Sequence, residues 1–262
     1  SSLDQTIVST SIYTIANDLD GLSLQAWATT AYLITSTVST PLYGKLSDIF
    51  GRRPLYLIAI VIFLAGSLYA GSVHSMTELA IARGIQGMGA GGLLALALTI
   101  IGDIVPLKDR AKYQGYFMSV FGISSVLGPV IGGAFAGTET ILGIDGWRWV
   151  FLINIPIGLA ALTVVFMYLH LPAKHVKQKI DYWGAAAITL AIVPLLLVAE
   201  QGRTWGWSSA NSYLCYGLGV VGIIAFLLAE RRAGDYALIP LRLFQNITFG
   251  LSSLLNFIIG IG

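Results

Sequence analysis

Eight uncharged stretches, each about as long as a bilayer is thick, recur at 21–44, 54–77, 84–102, 113–138, 149–173, 182–199, 204–229 and 243–262. A hydrocarbon layer about 30 Å deep takes roughly 20 apolar residues of helix at about 1.5 Å each. A soluble chain of 262 residues has no need of such runs in almost every segment. Only 11% of the residues are charged, and the mean hydropathy is +0.78. The runs are continuous rather than alternating, which argues against a β-barrel. The 30 glycines suit helices that approach closely in lipid. The expected fold is all-α, a polytopic membrane protein.

Helices are expected at about 3–18, 25–46, 54–74, 77–103, 113–136, 148–170, 182–200, 212–229 and 246–262. The first and last look cut, so the chain reads as a piece of a longer polypeptide. Other classes find little support. The net charge of +2 comes without a basic stripe interleaved with aromatics, so nucleic acid is not an expected partner. Cys215 is the only cysteine, and His74, His170 and His175 lack metal-ligand spacing, so no metal is expected. No glycine loop follows a strand to hold a nucleotide, and no cofactor is expected. No paired His/Asp/Glu or Ser/His constellation suggests an enzyme.

Lys and Arg order the loops, because cytoplasmic loops retain them. One alternate set holds Lys45, Arg52 and Arg53; Lys108, Arg110 and Lys112; Lys174, Lys177 and Lys179; and Arg231, Arg232 and Arg242. The other set holds only Arg148 and Arg203, and Arg83 lies within a helix. The first set is therefore expected on the cytoplasmic side, with the N-terminus there too. The aromatic pairs in "GWRW" (146–149) and "TWGW" (204–207) suit the outer interface.

Three motifs carry polar chemistry. "GKLSDIFGRRP" (44–54) sets Gly44 and Gly51 for a tight reversal, with Asp48 four residues before Arg52, which Arg53 follows. This is either an inner latch or a solvated turn obeying the charge bias. Asp103 and Arg110, flanking Pro106, either join the same inner charge cluster, the favoured reading, or are simply solvated. "LAIARGIQGMGAGG" (79–92) places Arg83 in a spanning helix, at a cost of about 2.5–3.5 kcal/mol or more at mid-depth. Gln86 lies one turn on, followed by Gly87. Arg83 either snorkels outward or serves function. "SSVLGPVIGG" (124–133) puts Pro129 inside a helix beside a smooth ridge of Gly128, Gly132 and Gly133.

These motifs resemble those of the major facilitator superfamily. Gly44, Leu46, Asp48, Gly51, Arg52 and Arg53 match its G-x-L-x-D-R-x-G-R-[RK] loop, with Ile49 in place of one Arg. Leu79, Arg83, Gln86, Gly87, Gly89 and Ala90 match its fourth-helix motif. The G-P-x-x-G-G spacing is similar to its antiporter signature, with Ser124 replacing the leading Gly. "LDQTIVSTSIYTI" (3–15), "IDYWGAAAITL", "WGWSS" and "FLLAERRAGDYALIPLRLF" further resemble the fourteen-helix drug:proton antiporters of the EmrB/QacA type, Tyr13 standing where that pattern has Pro. The resemblance implies an N-terminal six-helix bundle over 1–170 and two linker helices over 171–230. A connector and the first helix of a second, truncated C-terminal bundle would occupy 231–262. It also implies an inner gate at 44–54, whose Asp meets a helix of that second bundle.

The implied activity is multidrug efflux at the cell membrane, driven by a proton gradient and exchanging protons for small amphipathic, cationic substrates. A dedicated exporter of one metabolite or antibiotic is the alternative within transport, and a non-transporting receptor or scaffold the alternative outside it. Asp4 is the expected proton carrier, with Arg83 as a candidate for coupling. Burial favours a neutral carboxyl group and a neighbouring cation favours the charged one, so a carboxylate between them can exchange a proton. Counted from Asp18, Asp4 lies about 21 Å deep; Arg83 lies about 7 Å beyond Glu78, so the two are expected more than about 10 Å apart. Trp27, Tyr32, Phe117, Phe121, Phe151 and Asn154 are expected to line a central cavity.

Overall fold

The fold is taken from a computed structural model, which describes residues 2–170 and 181–261. Helices α1 (Ser2–Asp18), α2 (Gln25–Phe50), α3 (Arg52–Ala70), α4 (Met76–Ile104) and α5 (Leu107–Ala136) follow one another through short turns. A two-residue hairpin, β1 (Thr140–Ile141) and β2 (Ile144–Asp145), leads into α6 (Trp149–Leu152) and α7 (Asn154–Tyr168). Then come α8 (Tyr182–Trp205), α9 (Ala210–Ala233) and α10 (Ile247–Ile261). Among the described residues, six segments are long and apolar enough to span a bilayer. The chain is an all-α, multi-pass membrane protein.

Local chemistry sets the boundaries. Ser75 accepts the Glu78 backbone N–H at 3.2 Å, while the Glu78 carboxylate accepts the His74 N–H at 2.8 Å. This reciprocal pairing satisfies one open donor of the first turn of α4, the Glu78 N–H, and the N–H of His74 just before the cap. Gly51, at φ 96°, alone separates α2 from α3, a left-handed conformation that a side chain would strain. The expected loop at 44–54 is thus helix almost throughout, and Gly44 lies inside α2 with open space around it instead of serving the reversal. The sixth expected helix, 148–170, is broken at Ile153 into α6 and α7. Pro156 explains the break: it lacks an N–H, and its ring clashes with the carbonyl four residues earlier.

The chain divides into two compact units, Ser1–Val176 and Lys177–Gly262. In the first, α2 and α3 pack on α4, α1 packs on α5, and α3 packs on α7. Glycine permits this closeness. A Cβ at Gly66 would stand 2.5 Å from the Gln86 backbone N, and one at Gly89 would stand 2.7 Å from the Ala59 carbonyl O. Gly128 receives the Thr6 side chain, and Gly132 faces the Ile7 carbonyl. Gly133 faces open space, so the expected three-glycine ridge is a two-glycine one. In the second unit α8 pairs with α9 through Gly219 and Gly222, and Glu230 accepts the N–H groups of Leu238 and Ile239 at 3.1 and 3.0 Å.

The first unit has two chemically distinct ends. At one, Arg52 reaches Asp103 at 2.9 Å and Arg53 donates to the Phe166 carbonyl at 2.6 Å, joining α3 to the ends of α4 and α7. At the other, the Trp147 indole donates to Asp18 at 2.6 Å, and Arg148 donates to Gly71 and Val73 carbonyls at 3.1 and 2.8 Å. The basic turns 45–53 and 103–112 therefore share one end, with Arg148 at the opposite end. Lys174, Lys177 and Lys179 lie outside the described residues.

Candidate functional site

Asp4 and Arg83, expected to stand apart, form a direct ion pair. Arg83 NH1 lies 2.7 Å from Asp4 Oδ2, and the two residues are each 1% exposed. The expectation failed because depth counting treats residues as points on parallel axes. The long guanidinium-bearing side chain runs inward to the acid instead of snorkelling outward.

Gln86 on α4 and residues from α2, α3, α6 and α7 supply the remaining partners. Arg83 NH1 also donates to Gln86 Oε1 at 2.7 Å, and Gln86 Nε2 donates to Asp4 Oδ1 at 2.9 Å. Asn154 Nδ2 donates to the same Asp4 oxygen at 2.8 Å and to Ser67 Oγ at 3.0 Å. Gln86 Nε2 reaches Ser67 Oγ at 3.1 Å, and the Ser67 hydroxyl donates to the Phe151 carbonyl at 2.9 Å. Asp4 thus holds α1 to α4 and α7, with Ser67 of α3 closing the ring. On its other side the Arg83 guanidinium sits over the Tyr32 ring, 4.0 Å from its centroid. Charge-assisted bonds in a dry interior are strong, and each lost partner is costly. Ser67 escaped the sequence reading, since nothing distinguishes one serine of an apolar helix from another.

A cleft of about 200 Å³ adjoins this network, lined by Gln5, Tyr32, Ser36, Thr37, Thr40 and Phe121 among others. Of the expected cavity aromatics, Tyr32 and Phe121 are there. Phe117 only stacks against Phe121, with ring centroids 5.6 Å apart. Trp27 borders a separate apolar groove with Leu24 and Ile81, near the start of α4. Phe151 is fully buried in the core, edge-on to Trp147. Asn154 binds Asp4 instead of facing open space. The hydroxyls of Ser36, Thr37 and Thr40 were missed, because serine and threonine also close back on their own helix.

The inner charge cluster assembles in part. Arg52 binds Asp48 at 2.5 Å and Asp103 at 2.9 Å. Arg110 does not join them: it donates to the Val105 and Gly102 carbonyls, capping the end of α4. Both carboxylates are close to half exposed, so water screens these pairs. Asp103→Ala is expected to cost at most about 1 kcal/mol, checked by thermal unfolding of the purified full-length protein.

Membrane-length helices close around a buried acid–base network, and the chain belongs to the Major Facilitator Superfamily, whose profile matches residues 1–262. It is 40% identical to the "Multidrug transporter protein MdtP" of Bacillus subtilis, over 100% of this chain and 47% of that protein. It is 39% identical to the "Multidrug resistance protein 3" of the same organism, over 99% and 50%. With the "Efflux pump dotC" of Dothistroma septosporum the identity is 38%, over 94% and 42%. The chain spans about half the length of these relatives.

Proposed function

We propose that this chain is the N-terminal portion of a proton-coupled exporter of small amphipathic compounds, of the fourteen-helix drug:proton antiporter type. The observation that carries the reading is the Asp4 carboxylate, enclosed between α1, α4 and α7 and paired with Arg83. A buried acid held by one cation is a reversible joint. Ionised, it ties α1 to α4; protonated, it loses the charge that makes the tie strong. Since α1 packs on α5 while α4 packs on α2 and α3, proton uptake loosens one helix set from the other.

Direct binding of a cationic drug to Asp4 is not available in this conformation, because Arg83, Gln86 and Asn154 occupy its oxygens. Proton and substrate therefore oppose each other through the conformations they favour. The drive is adequate: each unit of pH gradient supplies about 1.4 kcal/mol per proton, and 100 mV about 2.3 kcal/mol per charge. The basic ends of α2, α3 and α5 would face the cytoplasm at the cell membrane, with Arg52, Asp48 and Asp103 as the inner gate. A second bundle in the complete polypeptide would supply the other wall of the cavity, and alternating access would rock the two halves. Exchange of several unlike drugs follows the relatives' names.

The test uses the full-length protein in inverted vesicles, following a cationic dye with and without an imposed pH gradient. Asp4→Asn is expected to remove gradient-driven uptake of the dye. Equal gradient-driven uptake by both proteins would take Asp4 out of the mechanism.

A further inference from the structure

Asp4 lies out of reach of anything in the cleft, so some group must carry its protonation state there. Arg83 is held at few points. NH1 makes both of its side-chain hydrogen bonds, to Asp4 and Gln86, and its buried Nε has no partner. Its remaining anchor is the face of Tyr32, 4.0 Å away. That same residue is among those lining the cleft. Tyr32 is 2% exposed and Arg83 1%, so bulk water does not fill the space around either side chain.

We propose that Tyr32 is a positioning residue that reports the protonation of Asp4 to the cleft, so that a lipophilic organic cation and a proton exclude one another without touching. The inference rests on the exchange reading above. With Asp4 ionised, the pair is neutral, and a cation in the cleft meets no net charge behind the ring. With Asp4 protonated, Arg83 carries an unbalanced positive charge. Gln86 and the π face then hold that charge beside the cleft, where it repels a second cation at short range in a dry setting. The charged groups acting on the ring are Asp4 from α1 and Arg83 from α4. The cleft residues contributed by α1, α2, α4 and α5 include no charged side chain that could mask the effect. Reciprocity then requires the bound cation to disfavour proton uptake by the same factor.

The test measures binding of tetraphenylphosphonium to the purified full-length protein in mildly alkaline and mildly acidic buffer. The wild-type protein is expected to bind about tenfold more weakly in acid, within the usual range of coupling between sites. Tyr32→Phe keeps the π face and should keep the tenfold difference. Tyr32→Leu and Tyr32→Ser release the guanidinium and should reduce it below about threefold, with Tyr32→Leu the variant better suited to a buried site. An undiminished difference in either variant that elutes as a folded monodisperse protein overturns the role of Tyr32, as does its loss in Tyr32→Phe. Asp4→Asn separates the two levels: its difference should vanish. A persistent difference there would remove the exchange reading itself, whereas its loss together with wild-type behaviour in Tyr32→Leu would remove only the relay.

Discussion

Arg83→Ala is expected to destabilise the first unit by about 3–5 kcal/mol, the cost of leaving one member of a buried ion pair without its counter-charge. The stranded group is Asp4, 1% exposed, whose remaining partners, Gln86 and Asn154, are neutral amides. Adding Asp4→Asn to Arg83→Ala should recover a large part of the loss, because the double variant buries no uncompensated charge. A double-mutant cycle on thermal or denaturant unfolding of the full-length protein measures this coupling directly. Additive losses would mean that the pair contributes nothing specific. The same double variant should remain unable to couple export to a pH gradient, which separates stability from function.

The second large effect is steric. Gly66→Ala is expected to cost about 1–3 kcal/mol by overpacking, and to impair dye export as well. The added Cβ would meet the backbone N and Cα of Gln86 at 2.5 and 2.6 Å, atoms that cannot rotate aside. Relief requires α3 to move from α4, which draws Gln86 away from Asp4 and disturbs Ser67 beside it. Gly133→Ala is the matched control: a Cβ there meets nothing within 4 Å, and alanine favours helix over glycine by about 1 kcal/mol. Equal melting temperatures for the two variants would contradict this account of the α3–α4 contact.

Much of this was legible beforehand because lipid imposes simple rules on composition. Long uncharged runs had to become helices, six of them long and apolar enough to span among the described residues, and basic turns had to gather at shared ends; 45–53 and 103–112 do so. Arg83 and Gln86 could be placed on one face because a single helix fixes their spacing. The role of Gly51 in the reversal was also readable, being local.

What spacing could not supply was the third dimension between helices. Gly128 and Gly132 contact α1 while Gly133 does not, although all three look alike in sequence. Arg110 was read as a partner of acids but turned to the open carbonyls at the end of its neighbouring helix, which offered donors a nearer target. Phe151 and Phe121 are both aromatics of spanning segments, yet one fills the core and the other the cleft.

By itself, then, the sequence determined that this chain crosses a bilayer repeatedly and which of its turns are basic, since the cost of placing charge in hydrocarbon is paid residue by residue. Only the tertiary structure decided that Asp4 of α1 meets Arg83 of α4, with Gln86, Asn154 and Tyr32 around them. That meeting depends on helix crossings and side-chain reach, which couple residues 79 positions apart and leave no periodic trace along the chain.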